Sequence, residues 1–188
     1  MIKDDKELVE AAEKANGLIQ EISNYLGERN IKDAKLRFPR NYLKTATHYR
    51  NKLSFISDQV LLTNSSYTLM LLDVYKWIAN RTDIWGVPRD MLIKHGICII
   101  GSLCESFTKD ALKGRVSAKK GYKERTAYLA DKKLIDKDQK QELDWIWDTR
   151  NNQHLFLVSF IEYEHYKASD YNRASSAFNN LCAALRRL

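Results

Sequence analysis

Gly96-Ile97-Cys98-Ile99-Ile100-Gly101-Ser102-Leu103-Cys104 carries no charge and a single hydroxyl. It lies at the centre of a longer stretch, 88 to 112, that opens on Pro88, a residue suited to the first turn of a helix. A helix that is apolar all round is one enclosed by others. The stretch therefore predicts the central helix of a bundle. Gly96 and Gly101 cost helix propensity. Close approach of a neighbouring helix accounts for them better than ligand contact does.

Helical patterning continues on both sides. Residues 4 to 26 place Leu8, Ala11, Ala12, Ala15, Leu18, Ile19, Ile22 and Leu26 on one side, and Gly27 can end that helix. A basic stretch, 28 to 40, is stopped by Pro39. A second helix is expected from Asn41 to Leu62, with a break at Asn64-Ser65-Ser66, and a third from 66 to 81. Residues 80 to 88 connect to the central helix. Residues 113 to 125 read as a loop punctuated by Gly114 and Gly121, and 126 to 133 as a short helix. Asp136 or Asp138 caps the next helix. Residues 155 to 167 read as a loop on the bundle. Ser169 or Asp170 caps a last helix, whose apolar face is Ala174, Ala177, Phe178, Leu181, Cys182, Leu185 and Leu188. Only 7 glycines and 2 prolines occur in 188 residues, which favours long helices over many short strands. The fold class is all-α: a single-domain bundle of five or six main helices spanning 1–188.

The net charge of +7 permits an anionic partner such as RNA without requiring one. Cys98, Cys104 and Cys182 are odd in number and lack paired spacing, so they read as buried thiols in a reducing compartment. The charged N-terminus has no following apolar run and resembles neither a signal peptide nor an anchor. No apolar stretch reaches the roughly 18 residues needed to span a bilayer. A cytoplasmic protein with no membrane contact is expected. No histidine pair has metal-ligand spacing, so neither a metal nor another cofactor is expected. Glycine-rich phosphate loops, nucleophile elbows and dinucleotide fingerprints are absent, which sets aside nucleoside-triphosphate and serine-hydrolase chemistry.

The chemistry concentrates in Trp147-Asp148-Thr149-Arg150-Asn151-Asn152-Gln153-His154. On a continuous helix Leu143, Trp147, Arg150 and His154 form one stripe, at i, i+4, i+7 and i+11. An inward-facing guanidinium needs a partner, and phosphate is one. A capping arginine and a histidine favoured by the helix C-terminal dipole would give the same spacing. His48 reads as a surface residue, His95 as a core histidine with a hydrogen-bond partner, and His165 as a loop residue.

Arg150, Asn151 and His154, at the end of a late helix followed by one more, make the chain resemble the HEPN superfamily. Its hallmark is an arginine, then a polar residue, then a histidine. The family spaces arginine and histidine more widely; here Asn151 to Gln153 alone lie between. The resemblance implies a metal-independent endoribonuclease, commonly a homodimer with two motifs meeting at a cleft. Arg150 would bind and polarise phosphate, His154 would act as acid or base, and Asn151 would assist. Such domains occur in defence and toxin systems, so an antitoxin or other protein partner is an expectation too. The family also includes inactive binding domains, and a non-catalytic helical protein-interaction module is the alternative.

Outside the motif, Lys113, Arg115, Lys119, Lys120, Lys123 and Arg125 stand against Glu124 alone, and are the candidate RNA-binding residues. A solvated flexible loop would have the same composition. Tyr122 and Tyr128 could stack on bases.

Overall fold

Side chains cap nearly every helix start, and the caps explain where the elements fall. The computed structural model describes the backbone of residues 1–188 and every side chain except that of Leu157. Asp4 accepts from the Glu7 amide and opens α1 (Asp5–Leu26). Gly27 closes it at φ 52°, a conformation that costs glycine little. Thr45 caps α2 (Ala46–Lys52), and Asp58 accepts from the Val60 and Leu61 amides to start α3 (Gln59–Arg81). Pro88 sits in the first turn of α4 (Val87–Ala111). Glu124 reaches back to the Gly121 amide at the head of α5 (Tyr122–Asp131). Asp136 caps α6 (Lys137–Asn151), and α7 (Ala168–Leu185) opens with Asp170 accepting from the Lys167 amide. Among the described residues there is no strand. The chain is all-α, as its patterning predicts.

Two compact units divide the chain. Residues 1–40 form one, and 41–188 form the other. In the second, α4 is the centre. Ile97, Cys98, Cys104 and Phe107 are fully buried, and α4 carries more buried residues than any other helix. It packs mainly on α6 and α7, with α3 and α5 beside it. Leu143 and Ile146 of α6, and Ala174 and Leu181 of α7, meet it fully buried. By length and composition α4 is long and apolar enough to cross a bilayer, contrary to the sequence expectation. In this fold 61% of its most apolar window is buried inside the bundle.

Three boundaries differ from the expected ones. The helix expected over 41–62 is two elements, because Asp58 supplies a second cap. Asn64-Ser65-Ser66 does not interrupt α3. Ser65 and Ser66 are buried in the bundle, and the Ser66 and Thr68 hydroxyls donate back to the carbonyls of Leu62 and Asn64, four residues earlier, so the polar side chains are satisfied inside the helix. The loop after α4 ends at Gly121 rather than Arg125, since Glu124 nucleates α5 early.

Gly101 is required by the packing of α4 on α6. A Cβ there would lie 2.9 Å from Arg150 Cβ and 3.2 Å from Ile146 Cγ2. Those atoms are close to the α6 backbone and cannot swing away. A Cβ added at Gly17 of α1, by contrast, would meet nothing within 4 Å. Gly101→Ala should lower stability by about 1–3 kcal/mol through overpacking, despite alanine's better helix propensity. Gly17→Ala should leave the main unfolding transition unchanged. Thermal denaturation followed by circular dichroism checks both, and an unshifted midpoint in Gly101→Ala would contradict the close approach.

Candidate functional site

The end of α6 places Arg150 against α4. Its side-chain stem lies over Gly101, with Cγ 3.3 Å from where a Cβ would stand. Its guanidinium stacks over Trp147 at 4.7 Å, and Trp147 in turn stacks on Tyr122 at 4.9 Å. The polar contacts of Arg150 are long: Nη2 to Glu105 Oε2 is 3.5 Å, and Nη1 to Asn151 Oδ1 is 3.4 Å. Arg150 and Glu105 keep 27% and 34% of their side-chain surface exposed, so solvent reaches the pair. Arg150 Nε is buried and has no hydrogen-bond partner among the described residues. The guanidinium is thus held by packing while its donors are poorly used.

His154 does not share that helical face. α6 ends at Asn151, where two asparagines favour turns over helix. The amides of Asn152, Gln153 and His154 then bond to carbonyls three residues back. In that tighter winding, residues three apart eclipse. His154 therefore falls behind Asn151 rather than Arg150. The expected stripe holds for Leu143, Trp147 and Arg150 and stops there. His154 is exposed, with its ring centroid 5.8 Å from that of Phe156. Leu155, Phe156 and Ile161, just beyond, are 71%, 85% and 89% exposed.

A buried polar network closes the same end of α6. Lys94 Nζ meets Glu162 Oε1 at 2.5 Å, with both side chains largely buried. Tyr166 Oη donates to the same Glu162 oxygen at 3.0 Å, and Asn152 Nδ2 donates to Tyr166 Oη at 3.4 Å. Burial and the Glu162 carboxylate push the Tyr166 phenol up to about 12. The Asp90 side chain accepts from the Glu164 amide. Residues 162–166 are so tied to α4. Burial also pushes the Cys98 thiol, at 3.5 Å from the Thr149 carbonyl, up to about 11, which leaves it protonated and unsuited to nucleophilic work.

Glu105 and Lys94 escaped sequence reasoning. The available signal was their spacing: Lys94, Cys98, Gly101 and Glu105 form one stripe of α4, polar at both ends of an otherwise apolar helix.

The basic segment is less open than its composition implies. Arg125 is 6% exposed; its Nη1 donates to the Lys120 carbonyl at 2.5 Å and its Nε to Thr108 at 3.4 Å. It holds the loop together and is not a surface cation, contrary to the expectation that it contacts RNA. Lys120 pairs with Glu124 at 2.5 Å, Lys123 with Asp148 at 2.7 Å, and Arg115 donates to the Leu188 carbonyl. Lys113 and Lys119 are exposed. With Lys109 and Val116, Lys113 and Arg115 line a concave surface of about 740 Å³. Tyr122 is 3% exposed beneath Trp147 and is closed to base stacking, whereas Tyr128 is half-buried. Among the other histidines, His95 Nδ1 has its partner, Tyr75 Oη at 2.8 Å, but is exposed rather than in the core. Among the described residues, no three histidine, cysteine or acidic side chains gather closely enough to hold a metal ion.

Compared with protein-family models, curated proteins and solved structures, the chain matches none.

The Lys94–Glu162 pair makes a direct test of how this end of α6 is held. Lys94→Met should destabilise by about 3–5 kcal/mol, because it leaves the Glu162 carboxylate buried without a counter-charge, held by the Tyr166 hydroxyl alone. Chemical denaturation measures this. A loss under about 1 kcal/mol would mean that Glu162 is free to move to solvent.

Proposed function

We propose that the protein is an RNA-binding, HEPN-like domain that cleaves the phosphodiester chain without a metal. The observation that carries this reading is the state of Arg150. A guanidinium fixed by packing over Gly101 and Trp147, whose partly exposed Nη donors make only long contacts to Glu105 and Asn151, is preorganised for an anion. Arg150 binds the scissile phosphate and stabilises its transition-state charge. The ribose 2′-oxygen attacks the adjacent phosphorus and the 5′-oxygen leaves, giving a 2′,3′-cyclic phosphate and a 5′-hydroxyl. His154 takes the proton from the 2′-hydroxyl or supplies it to the leaving oxygen, since an imidazole can act as base or acid. Asn151 orients phosphate. Lys113 and Lys119 contact the backbone on either side, with Arg115, Lys120 and Lys123 exchanging their present partners for it.

The domain works as a homodimer with Arg150 and His154 near the two-fold axis. Leu155, Phe156 and Ile161, exposed immediately after the motif, supply the apolar surface for that contact. A defence or toxin role, with an antitoxin or another protein as partner, follows from the resemblance alone. The same exposed residues favour the second reading, a non-catalytic module that docks a protein there.

Purified protein incubated with mixed RNA in EDTA should produce 2′,3′-cyclic phosphate ends. His154→Ala should abolish the products, and Arg150→Ala should slow them on the order of 10²-fold. Lys113→Ala/Lys119→Ala should chiefly weaken binding and flatten its salt dependence. Cleavage unchanged in His154→Ala would overturn the mechanism. Neither binding nor cleavage of any RNA would leave the protein-docking module.

A further inference from the structure

Within residues 1–40, α1 carries an apolar face that stays open. None of its residues is buried, and Leu8, Leu18 and Ile19 are 50%, 59% and 45% exposed. Leu8, Ala12, Ala15, Ile19, Ile22 and Leu26 follow one another in steps of four and three, the seam spacing of a coiled coil. The positions flanking that seam are Val9, Ala11, Asn16, Leu18, Ser23 and Tyr25, none of them charged. The charges from Glu10 onward, Glu10, Glu13, Lys14 and Glu21, all fall on the opposite side.

We infer that α1 pairs with α1 of a second copy of this chain, antiparallel, about an axis beside Gly17. In that register Leu8 faces the partner's Leu26, Ala12 faces the partner's Ile22, and Ala15 faces the partner's Ile19. Every layer then joins one position of each seam row, as antiparallel pairing demands. Each small residue meets a large one, so the layers fill evenly. A parallel pair in register would stack Ala12 on Ala12 and Ala15 on Ala15, leaving two adjacent thin layers. The uncharged flanks place no like charges against one another. A lipid surface is a poorer occupant. Helices that lie on membranes carry a basic polar face, whereas α1 sets Asp5, Glu7, Glu10, Glu13 and Glu21 against Lys6 and Lys14. This pairing stands independently of the ribonuclease reading, and its residues lie outside the Arg150 site.

Sedimentation of the full chain at micromolar concentration should give a dimer or a higher even assembly. Ile19→Glu should weaken α1 pairing by at least about 100-fold, since two isoleucines leave the seam for charges. It should not unfold the chain, because α1 buries none of its residues. Register is read by disulfide trapping, in which the native Cys98, Cys104 and Cys182, all buried, do not compete. Ala15→Cys mixed with Ile19→Cys should cross-link, and neither variant alone should. A wild-type monomer would overturn the inference, as when α1 folds back on its own chain. So would an assembly that survives Ile19→Glu but is lost in Phe156→Asp, which would assign association to the segment after the motif. Cross-linking of Ala15→Cys with itself would overturn the antiparallel register.

Discussion

The contact between Gly101 and Arg150 is the constraint on which the rest of residues 41–188 depends. α4 can be the buried centre only if its neighbours come close, and at Gly101, where α4 has no side chain, α6 does so. That approach buries Leu143 and Ile146 completely, which is worth about 1.5–3 kcal/mol for each side chain. It also fixes a guanidinium at the rim of the core. The stem of Arg150 is packed, and its charged end is left between Trp147 and Glu105. Stability and candidate chemistry therefore share one interhelical contact. Substitution at Gly101 would disturb both together.

Around that contact, polar groups divide into two kinds. Lys94, Glu162, Tyr166 and Asn152 form a satisfied network that ties the segment after the motif to α4. Thr126 with Asp144, and Arg125 with Thr108, do the same for α5. A partly exposed pair such as Arg150–Glu105, at 3.5 Å, is worth little in stability, within about 1 kcal/mol. Its geometry suits exchange: a phosphate offers more acceptor oxygens than one distant carboxylate. The contrast with the short Lys94–Glu162 pair marks Arg150 as the group left available.

The bundle was legible because its signals are local. The apolar run around Ile97–Cys104, the stop at Gly27, the cap at Asp136 and the scarcity of breakers each act within a few residues. The errors arose where side chains overrode local preference. Asp58 started a helix inside an expected one, and burial of Ser65 and Ser66 in the bundle held a polar run within α3. At the motif, periodicity located Arg150 on the α4-facing side of α6. It failed for His154, because a stripe drawn at 3.6 residues per turn does not survive the switch to a tighter turn after Asn151. Glu105 was invisible for another reason. Its approach to Arg150 spans two helices, and a sequence does not display which faces meet. Arg125 looked like its basic neighbours, and only the packing of α5 on α4 distinguishes it.

The central claim is that Arg150 exchanges Glu105 for phosphate. It is tested most directly by equilibrium binding of a short single-stranded RNA to Glu105→Gln at fixed salt. Removing the competing carboxylate should tighten binding about two- to five-fold, the size of a partly exposed ion pair. The gain should vanish when Arg150→Gln is added, and Glu142→Gln, which releases only Arg173, should not reproduce it. Unchanged or weaker binding by Glu105→Gln would contradict the account, as would a gain that persists without Arg150.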